Sequence, residues 1–118
     1  MEIEVTYEDI RNGKAADCKA CPIALAMGRE LDNRFVKVFS KSAYVYDNMN
    51  DYIHNIGGKK YILPYVAQIF VNMFDRKYDY HPGNYNSYEA YVKDWIPPLD
   101  PFSFELLEDE NLARRRAQ

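Results

Sequence analysis

The sequence predicts a single α+β domain, an antiparallel sheet of four to six strands with two main helices packed on one face. Three observations carry this expectation. Short runs rich in β-branched and aromatic residues alternate with turn signals, as strands do. Two longer stretches open on a proline and continue in good helix formers or in apolar residues three and four positions apart. The chain has 118 residues, 47% of them hydrophobic, enough to bury a core without disulfides or a structural metal. Residues 1–107 read as the domain and residues 108–118 as a polar C-terminal tail.

Ile3-Glu4-Val5 alternates apolar and acidic residues and fits a short strand with one buried face. Thr6, with Asp9 three positions on, has the form of a helix cap, and Gly13 is a natural stop, so Tyr7 to Asn12 reads as a helical turn. Pro22 falls where a helix tolerates it, at the first position, and the spacing predicts a helix to about Leu31. Phe35–Phe39 and Ala43–Tyr46 read as strands joined at Ser40-Lys41-Ser42. Tyr52-Ile53-His54 and Lys60–Leu63 flank a paired glycine and read as a hairpin. A second helix opens at Pro64, with Val66, Ile69, Phe70, Met73 and Phe74 as its inward stripe. Lys77 to Asn86 reads as a loop, Ser87 as the cap of a short helix carrying Trp95, and Phe102–Leu106 as a closing strand.

A net charge of −3 argues against direct nucleic-acid binding, whose affinity comes from lysine and arginine on phosphates. No window approaches eighteen uninterrupted apolar residues, and the first residues lack the basic start of a signal peptide, so the expectation is a cytoplasmic protein without a membrane partner.

The initial strand, Asp9-Ile10-x-x-Gly13, Cys21-Pro22-Ile23-Ala24-Leu25-Ala26, Leu63-Pro64 before Val66-Ala67, Phe70-Val71-x-x-Phe74-Asp75 and Pro101-Phe102-Ser103-Phe104-Glu105-Leu106 together resemble a group of short accessory proteins of bacteriophages and prophage-bearing bacteria, a group without an established function. The resemblance implies context: a phage-type accessory factor, in the host cytoplasm if phage-encoded, acting on a host defence protein. The stretch from Lys77 to Pro98 looks like an insertion relative to that group.

Cys18-x-x-Cys21 at a helix start has the spacing of redox dithiols and of zinc knuckles. A zinc site needs four ligands, and His54 and His81 do not complete a compact module with the two cysteines, so structural packing is the leading reading of the pair. Ser40, Ser42, Ser87 and Ser103 have no histidine nearby in sequence, and no phosphate-cradling glycine loop is present. Asp79 and His81 form a conceivable acid–base pair, although His81-Pro82-Gly83 reads as a surface loop. The expectation is therefore a protein that is not an enzyme and uses no cofactor.

Tyrosine is the unusual component, with 11 copies against 6 phenylalanines and 1 tryptophan. Tyr78, Tyr80, Tyr85, Tyr88 and Tyr91 crowd one segment with Asp79 and His81 among them, and this set is the candidate binding site. Tyrosine joins a large stiff ring to a polar tip at little rotamer cost, a combination favoured in recognition surfaces. The expected function is non-catalytic inhibition of a host protein with a basic surface, with homodimer formation through a sheet edge or the Tyr-rich lobe. One alternative is a sponge for a nucleotide-like ligand, its base stacked on tyrosines and its phosphates met by Arg76, Lys77 and Lys93. A second alternative is a redox or zinc-binding factor that uses Cys18 and Cys21. Arg114-Arg115-Arg116 reads as a solubilising end.

Overall fold

Strict alternation sets the first element. Along β1 (Glu2–Val5), Ile3 and Val5 are fully buried while Glu2 and Glu4 face out. The structure, a computed structural model, describes residues 1–33, 35–78 and 99–109. After β1 come α1 (Tyr7–Asn12), α2 (Pro22–Glu30), β2 (Val36–Val38), β3 (Ser42–Val45), α3 (Met49–His54), β4 (Lys59–Ile62), α4 (Tyr65–Tyr78), β5 (Phe102–Glu105) and β6 (Leu107–Glu108). Among the described residues all strand pairing is antiparallel, and the α+β class is as the sequence predicts.

The strands form two sheets rather than one. β1 pairs with β5, setting Ile3 opposite Phe104 and Val5 opposite Phe102, while β2, β3, β4 and β6 form a four-stranded sheet in that order. The division falls at one residue. Buried Leu106 donates its N–H to the Met1 carbonyl at 2.8 Å in the ribbon, and three residues later Asp109 donates to the Lys60 carbonyl at 3.2 Å in the sheet. β6 thus begins at Leu107, the last residue the sequence assigns to the domain.

α1 and α2 form where the caps predict. The Thr6 hydroxyl accepts from the Asp9 N–H at 3.2 Å and the Asp9 carboxylate accepts from the Thr6 N–H at 2.9 Å, a reciprocal capping box. The other Asp9 oxygen accepts from Arg29 Nη1 at 2.7 Å, and Arg29 Nη2 donates to the Glu4 carbonyl at 2.7 Å, so one guanidinium ties α1, α2 and β1 together. Gly13 lies against Pro22, where any Cβ would come within 2.5 Å of the proline ring. α2 ends in a Schellman turn: Asp32 takes a left-handed φ of 50° and Asn33 donates its N–H to the Gly28 carbonyl at 3.0 Å.

Two expectations fail. Tyr52-Ile53-His54 belongs to α3 and not to a hairpin strand, and β4 pairs with β3 instead. Asn48 caps α3 by accepting from the Asp51 N–H at 2.9 Å, and Asn55 closes it in a left-handed conformation. These local signals outweigh the turn propensity of Gly57-Gly58. The inward stripe of α4 also differs from the expected one: Ala67, Phe70, Val71 and Phe74 are buried, whereas Val66 and Ile69 are exposed and Met73 is half-exposed. Apolar residues cover more than half the circumference of α4, and the ring contact of Phe70 with Phe102, 4.7 Å between centroids, fixes which part turns inward.

Candidate functional site

The four-stranded sheet has two unlike faces. Val36, Val38, Ala43 and Val45 point into the core with α2, whose Ile23, Ala26 and Met27 are fully buried. The period of two sends Phe35, Lys37 and Phe39 the other way, with Tyr44 and Tyr46 across from them. α3 covers part of this outer face with Tyr52.

Lys37 is the centre of that covered part, and it is only 5% exposed. Its Nζ donates to the Tyr52 carbonyl at 2.7 Å and to Asn55 Oδ1 at 2.6 Å. The ammonium also lies 4.9 Å from the Tyr52 ring centroid and 5.5 Å from that of Tyr46, on which π-electron density stabilises a cation. Lys19 approaches the Tyr52 ring at 5.3 Å. Tyr46 packs edge-on to Tyr52 at 5.9 Å and lies so close to Gly58 that a Cβ there would come within 2.6 Å of the ring. Asn55 does two things at once: it tolerates the left-handed φ of 56° that ends α3, and its side chain accepts from Lys37.

The cysteine turn borders this cluster. Asp17 organises it, its carboxylate accepting from the Lys19 N–H at 2.9 Å and its carbonyl from the Cys21 N–H at 3.0 Å. The Cys18 carbonyl accepts from the Val38 N–H at 2.7 Å and so occupies the open edge of β2. Burial, and then the nearby Cys18, push the Tyr52 phenol above its ordinary range; burial and the neighbouring Tyr44 and Cys18 do the same for Tyr46. Cys21 is buried and caps α2, its Sγ accepting from the Ala24 N–H at 3.5 Å. Burial pushes its thiol up to about 11, which disfavours the thiolate that attacks a disulfide. Among the described residues no group of three or more His, Cys, Asp and Glu side chains is placed to hold a metal ion.

An open groove of about 640 Å³ runs beside the cluster between α2 and the start of β2, lined among others by Lys19, Leu25, Gly28, Asn33, Phe35 and Asp47. Lys19 and Asp47 give it charges of both signs. The Asn33 amide is already engaged, donating to the Tyr46 carbonyl at 3.0 Å and accepting from the Phe35 N–H at 2.8 Å. The lining thus mixes apolar side chains with one lysine and two aspartates, Asp32 and Asp47.

Of the residues nominated from sequence, Tyr78 ends α4, while Asp79, Tyr80, His81, Tyr85, Tyr88 and Tyr91 lie outside the described residues, as do Lys93 and the helix expected after Ser87. His54 ends α3, and among the described residues it does not join the cysteines in a group placed to hold a metal ion. Lys37, Tyr46, Tyr52 and Asn55 were not nominated. A lysine flanked at i±2 by Phe35 and Phe39 is the sequence signal that points to them. Among the described residues no helix is long and apolar enough to cross a membrane. No family model, no curated protein and no solved structure matches the chain.

Proposed function

We propose that the chain is a non-catalytic binding protein, a phage-type accessory factor that captures a basic site on a host protein through its acidic, Tyr-rich segment. The observation that carries this reading is the outward side of α4. Tyr65, Val66 and Ile69 stand exposed there, Tyr65 at 76%, on the helix whose last residue, Tyr78, begins the Tyr-rich segment. Apolar side chains held in water on a regular helix are a standing gain for any partner that covers them. The ionisable groups of the interior support binding over catalysis, because their polar atoms are already engaged in the fold: Asp9 in a cap and an ion pair, Lys37 on a carbonyl and an amide, Cys21 at a helix start.

The test is capture from host lysate on the immobilised protein, with each retained protein identified by mass. The expected result is a defined basic partner whose retention weakens with salt and falls about tenfold or more for Asp79→Lys, Tyr80→Ala, Tyr85→Ala or Ile69→Ser. Equal capture by all four variants and the wild type overturns the reading. The groove beside Lys19 favours a second reading, a small-molecule sponge. A rise in melting temperature with a nucleotide panel at millimolar concentration, lost in Lys19→Ala, would replace the first reading with it.

A further inference from the structure

A second open groove, of about 840 Å³, lies where α1 and the loop after it meet α4 and Leu99, and it shares no described residue with the groove beside Lys19. Its described lining divides by chemistry. Ile10, Ala15 and Leu99 are partly buried against the core and Phe74 is buried, so the core reaches the surface here as an apolar floor. Arg11 and Lys14 stand exposed at its edge, with Tyr7 one helical turn before Arg11. Arg29, Lys59 and Lys60 each pair with a carboxylate, whereas neither the Arg11 nor the Lys14 side chain makes an ion pair or a hydrogen bond among the described residues. The dipole of α1 suits Arg11 in its last turn, but Lys14 lies beyond the cap.

We propose that this groove binds a small amphipathic carboxylate, its head group between Arg11 and Lys14 and its apolar body on Ile10, Ala15, Phe74 and Leu99. Two unpaired cations beside an apolar floor complement a molecule that joins an anion to an apolar chain. The arginine fork matches the two oxygens of a carboxylate. A phosphate dianion fits less well, because two carboxylates are tied to the same edge: Asp75 accepts from the Ala16 N–H at 3.0 Å, and Asp100 accepts from the Tyr7 hydroxyl at 3.4 Å. The edge is also set in advance. Gly13 donates its N–H to the Asp9 carbonyl at 2.8 Å, Lys14 donates its own to the Ala20 carbonyl at 2.8 Å, and Ala16 is held on Asp75 at a left-handed φ of 54°. These contacts fix the backbone on both sides of Lys14 and Ala15, so a ligand orders little of it on entering. The volume lies within the usual range of small-molecule sites, about 300–1,000 Å³.

The test is a titration of the full chain with octanoate, followed by amide shifts in a proton–nitrogen correlation spectrum. Saturating shifts at the Ile10, Lys14 and Ala15 amides are expected, with a dissociation constant below about 1 mM. Arg11→Gln and Lys14→Gln should each weaken binding about five- to tenfold. Both side chains are exposed, so neither substitution opens the core, and an unchanged far-UV circular dichroism spectrum checks the fold. Lys41→Gln, which removes a positive charge from the turn between β2 and β3, should leave binding as it is. Octanol, the chain without the charge, and acetate, the charge without the chain, should each bind at least about tenfold more weakly. Absence of saturable shifts up to a few times about 1 mM overturns the proposal. So does octanol binding as tightly as octanoate, or octanoate binding that the double substitution of Arg11 and Lys14 leaves unchanged. Tighter binding of octyl phosphate overturns the choice of a carboxylate, and retention on phosphatidylglycerol vesicles without binding of free octanoate assigns the groove to a lipid surface instead.

Discussion

The inner and outer faces of the four-stranded sheet are made by the same few residues of β2 and β3, yet they are held by different physics. On the inner side Val36, Val38 and Ala43 are buried among aliphatic neighbours. Nothing there needs a direction, and burial alone stabilises it. On the outer side Lys37 is buried as deeply as those valines, but it is kept there by a carbonyl, an amide oxygen and two ring faces, each in a fixed place. The inner face tolerates apolar exchange of similar volume. The outer face depends on atoms that cannot be exchanged, because a buried polar group without its partner loses more than the bond is worth.

Neighbouring residues at the end of β4 give the sharpest contrast. Leu63 is fully buried and Ile62 faces outward. Leu63→Ala is expected to destabilise the fold by about 2–5 kcal/mol, lost transfer energy plus a cavity. Ile62→Ala should change the stability of the isolated chain by only about 0.5 kcal/mol. Urea unfolding of both variants measures the pair, and equal losses would mean that the outer face is as closely packed as the core. The next effect belongs to Lys37. Lys37→Ala removes the donor to the Tyr52 carbonyl and to Asn55 and leaves a hole among the rings, with an expected cost of about 1–3 kcal/mol. Lys37→Met keeps the apolar stem and isolates the polar part, so a Met variant as stable as wild type would show that the stem alone matters.

The same contrast explains what was legible in the sequence. Where one local signal and the burial pattern agree, as at Thr6 and Asp9, Pro22 or the alternation of β1, the element forms where expected. Where two signals compete, sequence order alone does not decide. Gly57-Gly58 favours a turn between strands, but Asn48 and Asn55 bracket a helix just before it, and the helix forms because Tyr52 gains a partner in Lys37 that lies in another strand. The inward side of α4 was illegible for the same reason: Val66, Ile69 and Met73 are as apolar as Val71 and Phe74, and the choice belongs to Phe102, distant in sequence. The Lys37 cluster joins four segments, so its sequence signal is limited to one lysine in an aromatic strand.

A further substitution tests the weakest support of the outer face. α3 has six residues, none of them buried, and an isolated helix of that length is unstable in water. Its caps and the contacts of Tyr52 must therefore hold it. Asn48→Ala removes the side chain that accepts from the Asp51 N–H and is expected to cost about 1 kcal/mol. Hydrogen exchange separates the two supports. If the cap holds α3, the Tyr52 and Ile56 amides, which donate to the Asn48 and Asp51 carbonyls at 3.1 and 3.0 Å, lose protection in Asn48→Ala while the β2–β3 ladder keeps its own. If Lys37 holds it, protection survives the loss of the cap and disappears in Lys37→Ala. The first outcome makes α3 a locally closed lid on the sheet, and the second makes it an extension of the Lys37 cluster.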